Sequence, residues 1–173
     1  MPPPAHRIAV QNPSRSSRVP EAACIVRWVS HALGRAGTGG RAAVREAEVT
    51  VRFVSRTEAV ALNERFRGRD YAPNVLSFPF DGDGSGSGDI AICPAIVAQE
   101  ARAQGKTFEA HLAHLVVHGV LHLRGHDHVE DRDATRMERL ESKLVAALGL
   151  GDPWAAERPG RATILLGIPS STA

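Results

Sequence analysis

Polar and apolar residues change period several times along this chain, and each change marks an element. Val49, Val51 and Phe53 alternate with Thr50 and Arg52, the period of two expected of a half-buried strand. HRIAV (6–10), VLSFPF (75–80) and DIAIC (89–93) read as three further strands, with Pro79 pushing the third toward an edge or a bulge. Between them the period shifts to that of a helix. From about Pro20, residues Ile25, Val26, Val29, Ala32 and Leu33 share one face until a glycine-rich loop begins at Gly34. Ser55 and Glu58 form a capping pair for a second helix carrying Ala59, Leu62 and Phe66. The stretch DGDGSGSG (81–88) offers nothing for a core and reads as a flexible loop.

The remainder is helical. Pro94 to Gln104 forms one helix, stopped at Gly105, and Thr107 can cap the next. Asp131 and Asp133 open a last helix, with Ala134, Met137, Leu140, Leu144 and Leu148 at core spacing and Gly149 as its stop. The order βαβαββ followed by helices predicts an α+β fold: a single mixed four-stranded sheet packed with helices. One domain is expected over residues 1–155, with 156–173 as a C-terminal tail; from residue 151 onward the composition allows either a tail or an added strand.

Composition narrows the class. Of 173 residues, 43% are hydrophobic and 23% charged, ordinary values for a soluble domain with a real core. No apolar run reaches the roughly 20 residues of a membrane span, and MPPPAHRIAV lacks the layout of a secretory signal. Two distant cysteines, Cys24 and Cys93, suggest no disulfide framework, so a reducing cytoplasm is expected. The net charge of +2 announces no nucleic-acid binder, although Arg65, Arg67 and Arg69 make a local basic cluster.

The histidines change the picture. Five of the eight fall between His114 and His128, and His111 lies just upstream. His118 and His122 are four apart, so on a helix both imidazoles reach one ion. Gly125 permits a left-handed exit that can return His128 toward the same point. Three imidazoles suit one zinc or similar divalent ion per chain and leave a fourth position open, the catalytic arrangement. His111 and His114 read as core-lining or supporting groups, and His126 as a non-ligand. Asp127 is a candidate to orient a ligand ring. The spacing H-x-x-x-H-x-x-G-x-x-H is that of metzincin proteases, but Gly119 stands where their catalytic glutamate would be. A glycine takes no proton, which excludes peptide hydrolysis by that route. Met137, at core spacing, is packing rather than a methionine turn.

HGVLHLRGHDH, together with LNERFRGRDYAPNVLSFPF (62–80), GDIAIC (88–93), EAHLAHLVVHG (109–119) and the AxxMExLE run from Ala134, resembles the YbeY endoribonuclease family over roughly residues 47–150. The resemblance implies a single-strand-specific, metal-dependent endoribonuclease. Its expected roles are maturation of the 3′ end of 16S ribosomal RNA and ribosome quality control. It further implies His118, His122 and His128 as metal ligands and Arg67 as the functionally important arginine. The implied partners are single-stranded RNA, the small ribosomal subunit and its associated proteins; neither a membrane nor DNA is expected. Ala72-Pro73 and His126 depart from the family's usual residues.

In such an enzyme the metal would activate a water or neutralise a phosphate oxygen, while Arg67 meets the growing negative charge. Arg69, Lys106 and Arg124 are candidate guides for the RNA backbone, and Ser77 and Asp89 read chiefly as turn chemistry. Phe66, Tyr71, Phe78 and Phe80 cluster near the arginines; strand-core packing accounts for them, with Tyr71 the best candidate for an exposed stacking ring. Two other readings stand beside this one. One is a metal hydrolase of another substrate. The other is a ribosome-assembly factor whose metal is structural, with His114 or His126 as a fourth ligand.

Overall fold

The computed structural model describes residues 5–34, 44–81, 84–126 and 131–155. The chain runs β1 (Ala5–Gln11), α1 (Ala22–Gly34), β2 (Glu46–Phe53), α2 (Arg56–Arg67), β3 (Val75–Pro79), β4 (Gly88–Ile92), α3 (Pro94–Ala103), α4 (Phe108–Leu123) and α5 (Asp131–Ala147). This is the expected α+β architecture on one mixed sheet, ordered β1-β2-β4-β3. The first three strands in that order are parallel, and β3 runs antiparallel to β4 at the edge. An edge is where Pro79, with no N–H to donate, can be tolerated.

Alternation along the strands sorts the two faces. Val49, Val51, Phe53, Ile90 and Ile92 pack with α1 and α4 in the main core. Leu76 and Ala91 point the other way and meet Ala59 of α2 in a smaller cluster. On α1 the buried series is Ile25, Trp28, Val29, Ala32 and Leu33; Val26, expected on that face, is only partly buried. Spacings of three and four from Ile25 select Trp28 and pass over Val26.

Helix α4 is buried along nearly its whole length and forms the centre of the main core. Gly119 sits where it crosses the sheet. A Cβ there would lie 3.0 Å and 3.1 Å from two carbons of Ile90 and 3.3 Å from Ser77 Oγ. The glycine thus allows a close approach of helix to sheet, a packing reason for its presence where a protease would need a glutamate.

The glycine-serine loop corrects the sequence reading, because its described second half is built into the fold. Gly86 N–H donates to Leu123 O at 3.1 Å, and Ser87 Oγ accepts from Glu48 N–H at 3.0 Å. A Cβ on Gly88 would collide with the Phe78 carbonyl and lie 3.0 Å from Pro79 Cα. Backbone on a paired strand cannot move aside cheaply. Gly88→Ala is therefore expected to cost about 1–3 kcal/mol, as overpacked sites do. A thermal melt should show a midpoint lower by several degrees; an unchanged midpoint would mean that the β3 edge yields freely.

Candidate metal centre

Helix α4 is launched by Thr107, whose Oγ1 accepts from Ala110 N–H at 3.1 Å. Spacings of three, four and four then bring His111, His114, His118 and His122 onto one face. The helix closes as expected at Gly125, which has φ +83. Gly125 N–H donates to His122 O at 2.9 Å and His126 N–H to Leu121 O at 3.0 Å, the paired bonds of a left-handed helix exit. Beyond it, Asp127 and His128 lie outside the described residues.

Two nitrogens define the centre: His118 Nε2 and His122 Nε2 face each other at 3.0 Å. Two nitrogens bound to one tetrahedral zinc at about 2.0–2.1 Å would sit about 3.3 Å apart, so this pair suits a shared ion. The other nitrogen of His118, Nδ1, pairs with Glu141 Oε1 from α5. A carboxylate can only accept, so Nδ1 carries the proton and Nε2 turns its lone pair toward His122.

Glu141 is the buried partner of this histidine cluster that sequence reasoning missed. It is 1% exposed, and its Oε2 accepts from His114 Nε2 at 2.9 Å and from Trp154 Nε1 at 2.8 Å. Burial alone would raise its carboxyl. The neighbouring His118 and His114, through charge and hydrogen bonds, outweigh that and hold it well below the usual carboxylate range. His114 shifts the opposite way to what a carboxylate partner alone would cause. Full burial lowers its pKa against the pull of Glu141. A signal was present, since Glu141 follows Met137 by four residues on the core stripe of α5, where an acid is rarely buried without partners. Trp154 shows that residues 151–155 are a turn built onto the site rather than an added strand.

His114, His118 and Glu141 could themselves hold a metal ion, their ligand atoms lying within 4.8 Å of one another. Geometry favours a supporting role for Glu141, because Trp154 and both imidazoles already donate to it.

Arg67 closes α2, whose C-cap Gly68 has φ 67. Its Nη2 donates to Ser77 O at 3.3 Å, the one hydrogen bond its guanidinium makes among the described residues. Ser77 Oγ in turn donates to Gly119 O at 3.4 Å. Ser77 is therefore no turn residue: it links the arginine to the residue after His118. Asp89 is exposed.

The other expected guides divide. Arg124 is 1% exposed and donates to Ala32 O of α1 at 3.1 Å, so it is a structural strut. Lys106 Nζ donates to Pro153 O at 2.6 Å. Arg69 remains exposed. Among the aromatics, Phe66 and Phe80 are more open than Tyr71, contrary to expectation. A cleft of about 770 Å³ lies elsewhere, lined by Ser14, Ser55, Arg56 and Arg102 among others, and none of the imidazoles borders it.

The family model of Endoribonuclease YbeY matches residues 9–149. The chain is 44% identical over 153 residues to the Endoribonuclease YbeY of Bordetella avium (strain 197N), covering 87% of this chain and 94% of that one. It is 46% identical over 148 residues to that of Stenotrophomonas maltophilia (strain R551-3), covering 81% and 88%. Among solved structures, the solution structure of a Thermotoga maritima protein is similar with a TM-score of 0.56 and 27% identity, over 96% of this chain and 99% of that one.

Proposed function

Because the chain belongs to the YbeY endoribonuclease family, we propose that it is a metal-dependent endoribonuclease acting on single-stranded RNA. The observation that carries this reading is the His118–His122 nitrogen pair, 3.0 Å apart and oriented from behind by Glu141. His118, His122 and His128 are its proposed ligands. A zinc-type cation held by them supplies Lewis acidity to phosphodiester hydrolysis.

The remaining chemistry belongs to the chain. Arg67 has guanidinium donors left over for a non-bridging phosphate oxygen, and such charge-assisted bonds strengthen as negative charge grows on the phosphate. Glu141 keeps His118 in the tautomer that faces His122. Gly119 lets α4 lie close to β4 and to Ser77 of β3, the residue whose carbonyl Arg67 holds. The proposed setting is cytoplasmic, at the 3′ end of 16S ribosomal RNA and in ribosome quality control, beside the small subunit and its proteins. The family likeness supports that setting.

A second reading rests on His114, His118 and Glu141: a buried structural ion in an assembly factor. Metal removal tests the enzyme reading. Purified protein should cut single-stranded ribosomal RNA, stop after EDTA treatment, and recover with about one equivalent of zinc. Full cleavage by the stripped protein would overturn a metal-dependent mechanism.

A further inference from the structure

Among the described residues, the exposed large hydrophobic side chains are Phe66 (53%), Tyr71 (42%) and Phe80 (55%). Single exposed apolar residues need no explanation. Three aromatics within fifteen positions around Arg67 do, when no large aliphatic side chain of the described chain is similarly open.

Their placement is ordered. Phe66 sits in the last turn of α2, edge-on to Phe78 of β3 with ring centroids 5.1 Å apart. Phe80 N–H donates to Ser87 O at 3.1 Å, so the strand ladder continues past Pro79. Phe80 therefore shares a face with Phe78, two residues back. The result is a short aromatic row along the edge of the sheet. Arg65 Cζ lies 5.2 Å from the Phe66 ring centroid, and Arg67 follows at once. Glu64 and Asp70 flank the run, so the attraction for phosphate is local to the guanidiniums and not a broad basic field. Beside the row, Arg67 donates to Ser77 O and Ser77 Oγ to Gly119 O, which ties the arginine to the residue after His118.

We propose that Phe66 and Phe80, with Phe78 packed against Phe66, form a base-stacking subsite for single-stranded RNA beside Arg67. This rests on the endoribonuclease reading and deepens it. Every unpaired base has a free face for a ring, whereas bases inside a duplex have none, so the row selects unpaired strands without selecting sequence.

The test is equilibrium binding by fluorescence anisotropy, using the full chain with zinc and a labelled 2′-O-methyl single strand of about ten nucleotides. The strand is checked for integrity afterwards. Two further probes are an abasic strand of equal length and a hairpin of equal charge. The native protein should bind the base-bearing strand about tenfold or more tighter than the abasic one. Phe66→Leu with Phe80→Leu should remove about that factor and leave abasic binding unchanged. Phe66→Tyr with Phe80→Tyr, which keeps both rings, should bind like the native protein. Equal affinity of native and leucine proteins for the base-bearing strand would overturn the subsite while leaving the endoribonuclease reading in place; the row would then be a surface for another protein. Equal losses on base-bearing and abasic strands would also overturn it, as a folding effect. Failure of the native protein to bind any strand would bring down the endoribonuclease reading and the subsite with it.

Discussion

His122→Ala should lose bound metal and lower RNA cleavage by at least about a thousandfold, while Arg67→Ala should keep the metal and lose about 10²–10³-fold in rate. The two residues stand at different points of the same site. His122 is partly buried in the last turn of α4, with its Nε2 3.0 Å from that of His118. Removing it deletes one nitrogen of the pair at a position that is only partly buried, so the thermal midpoint should fall less than when a fully buried member of the site is removed. Arg67 touches neither imidazole; it reaches the site through Ser77 and Gly119, so its loss should spare the ion and remove charge stabilisation. Metal content by atomic emission, cleavage of single-stranded ribosomal RNA and a melting curve, all on identically prepared samples, read out the three effects. Retention of the ion by His122→Ala would place it among His114, His118 and Glu141 instead, and would favour the structural-ion reading. Equal cleavage by the native and His122→Ala proteins would mean that the α4 pair is not the catalytic centre.

What could be read in advance was local. Ser55 and Thr107 announced their helices because a cap bonds three residues along: Ser55 Oγ accepts from Glu58 N–H at 3.2 Å, and Thr107 behaves alike. Gly125 was legible as an exit because only glycine takes a φ of +83 without strain. The His118–His122 pair was legible because four residues make about one helical turn. The features that escaped depend on where distant segments meet. Glu141 is 23 residues from His118 and Trp154 another 13 beyond it, and no period links them. Arg124 looked like a surface cation until packing placed it under Ala32 of α1. Phe66 and Phe80 looked like core because aromatic residues near a strand usually are. Phe80 is exposed because it follows β3 at the edge of the sheet, a fact of strand order rather than of composition, and Phe66 because it falls in the last turn of α2.

Glu141→Ala should cost about 3–5 kcal/mol of stability and weaken metal binding about 10–100-fold. The carboxylate receives the N–H of His114, His118 and Trp154, all three in the interior. Alanine leaves those donors without an acceptor and opens a space between α4, α5 and the turn at Trp154. Glu141→Gln separates the two effects. Glutamine keeps the volume and one acceptor oxygen, but its amide N–H would point at another N–H. If His118 flips its proton to Nε2 in response, its lone pair turns away from His122 and the centre loses a ligand. Glutamine should therefore recover much of the packing while metal affinity stays low. Melting curves without metal and titration calorimetry with zinc measure the two quantities separately. If Glu141→Gln binds zinc like the native protein, the carboxylate serves packing alone. If Glu141→Ala melts like the native protein, the buried network contributes nothing to stability, and the orientation of His118 must come from α4 itself.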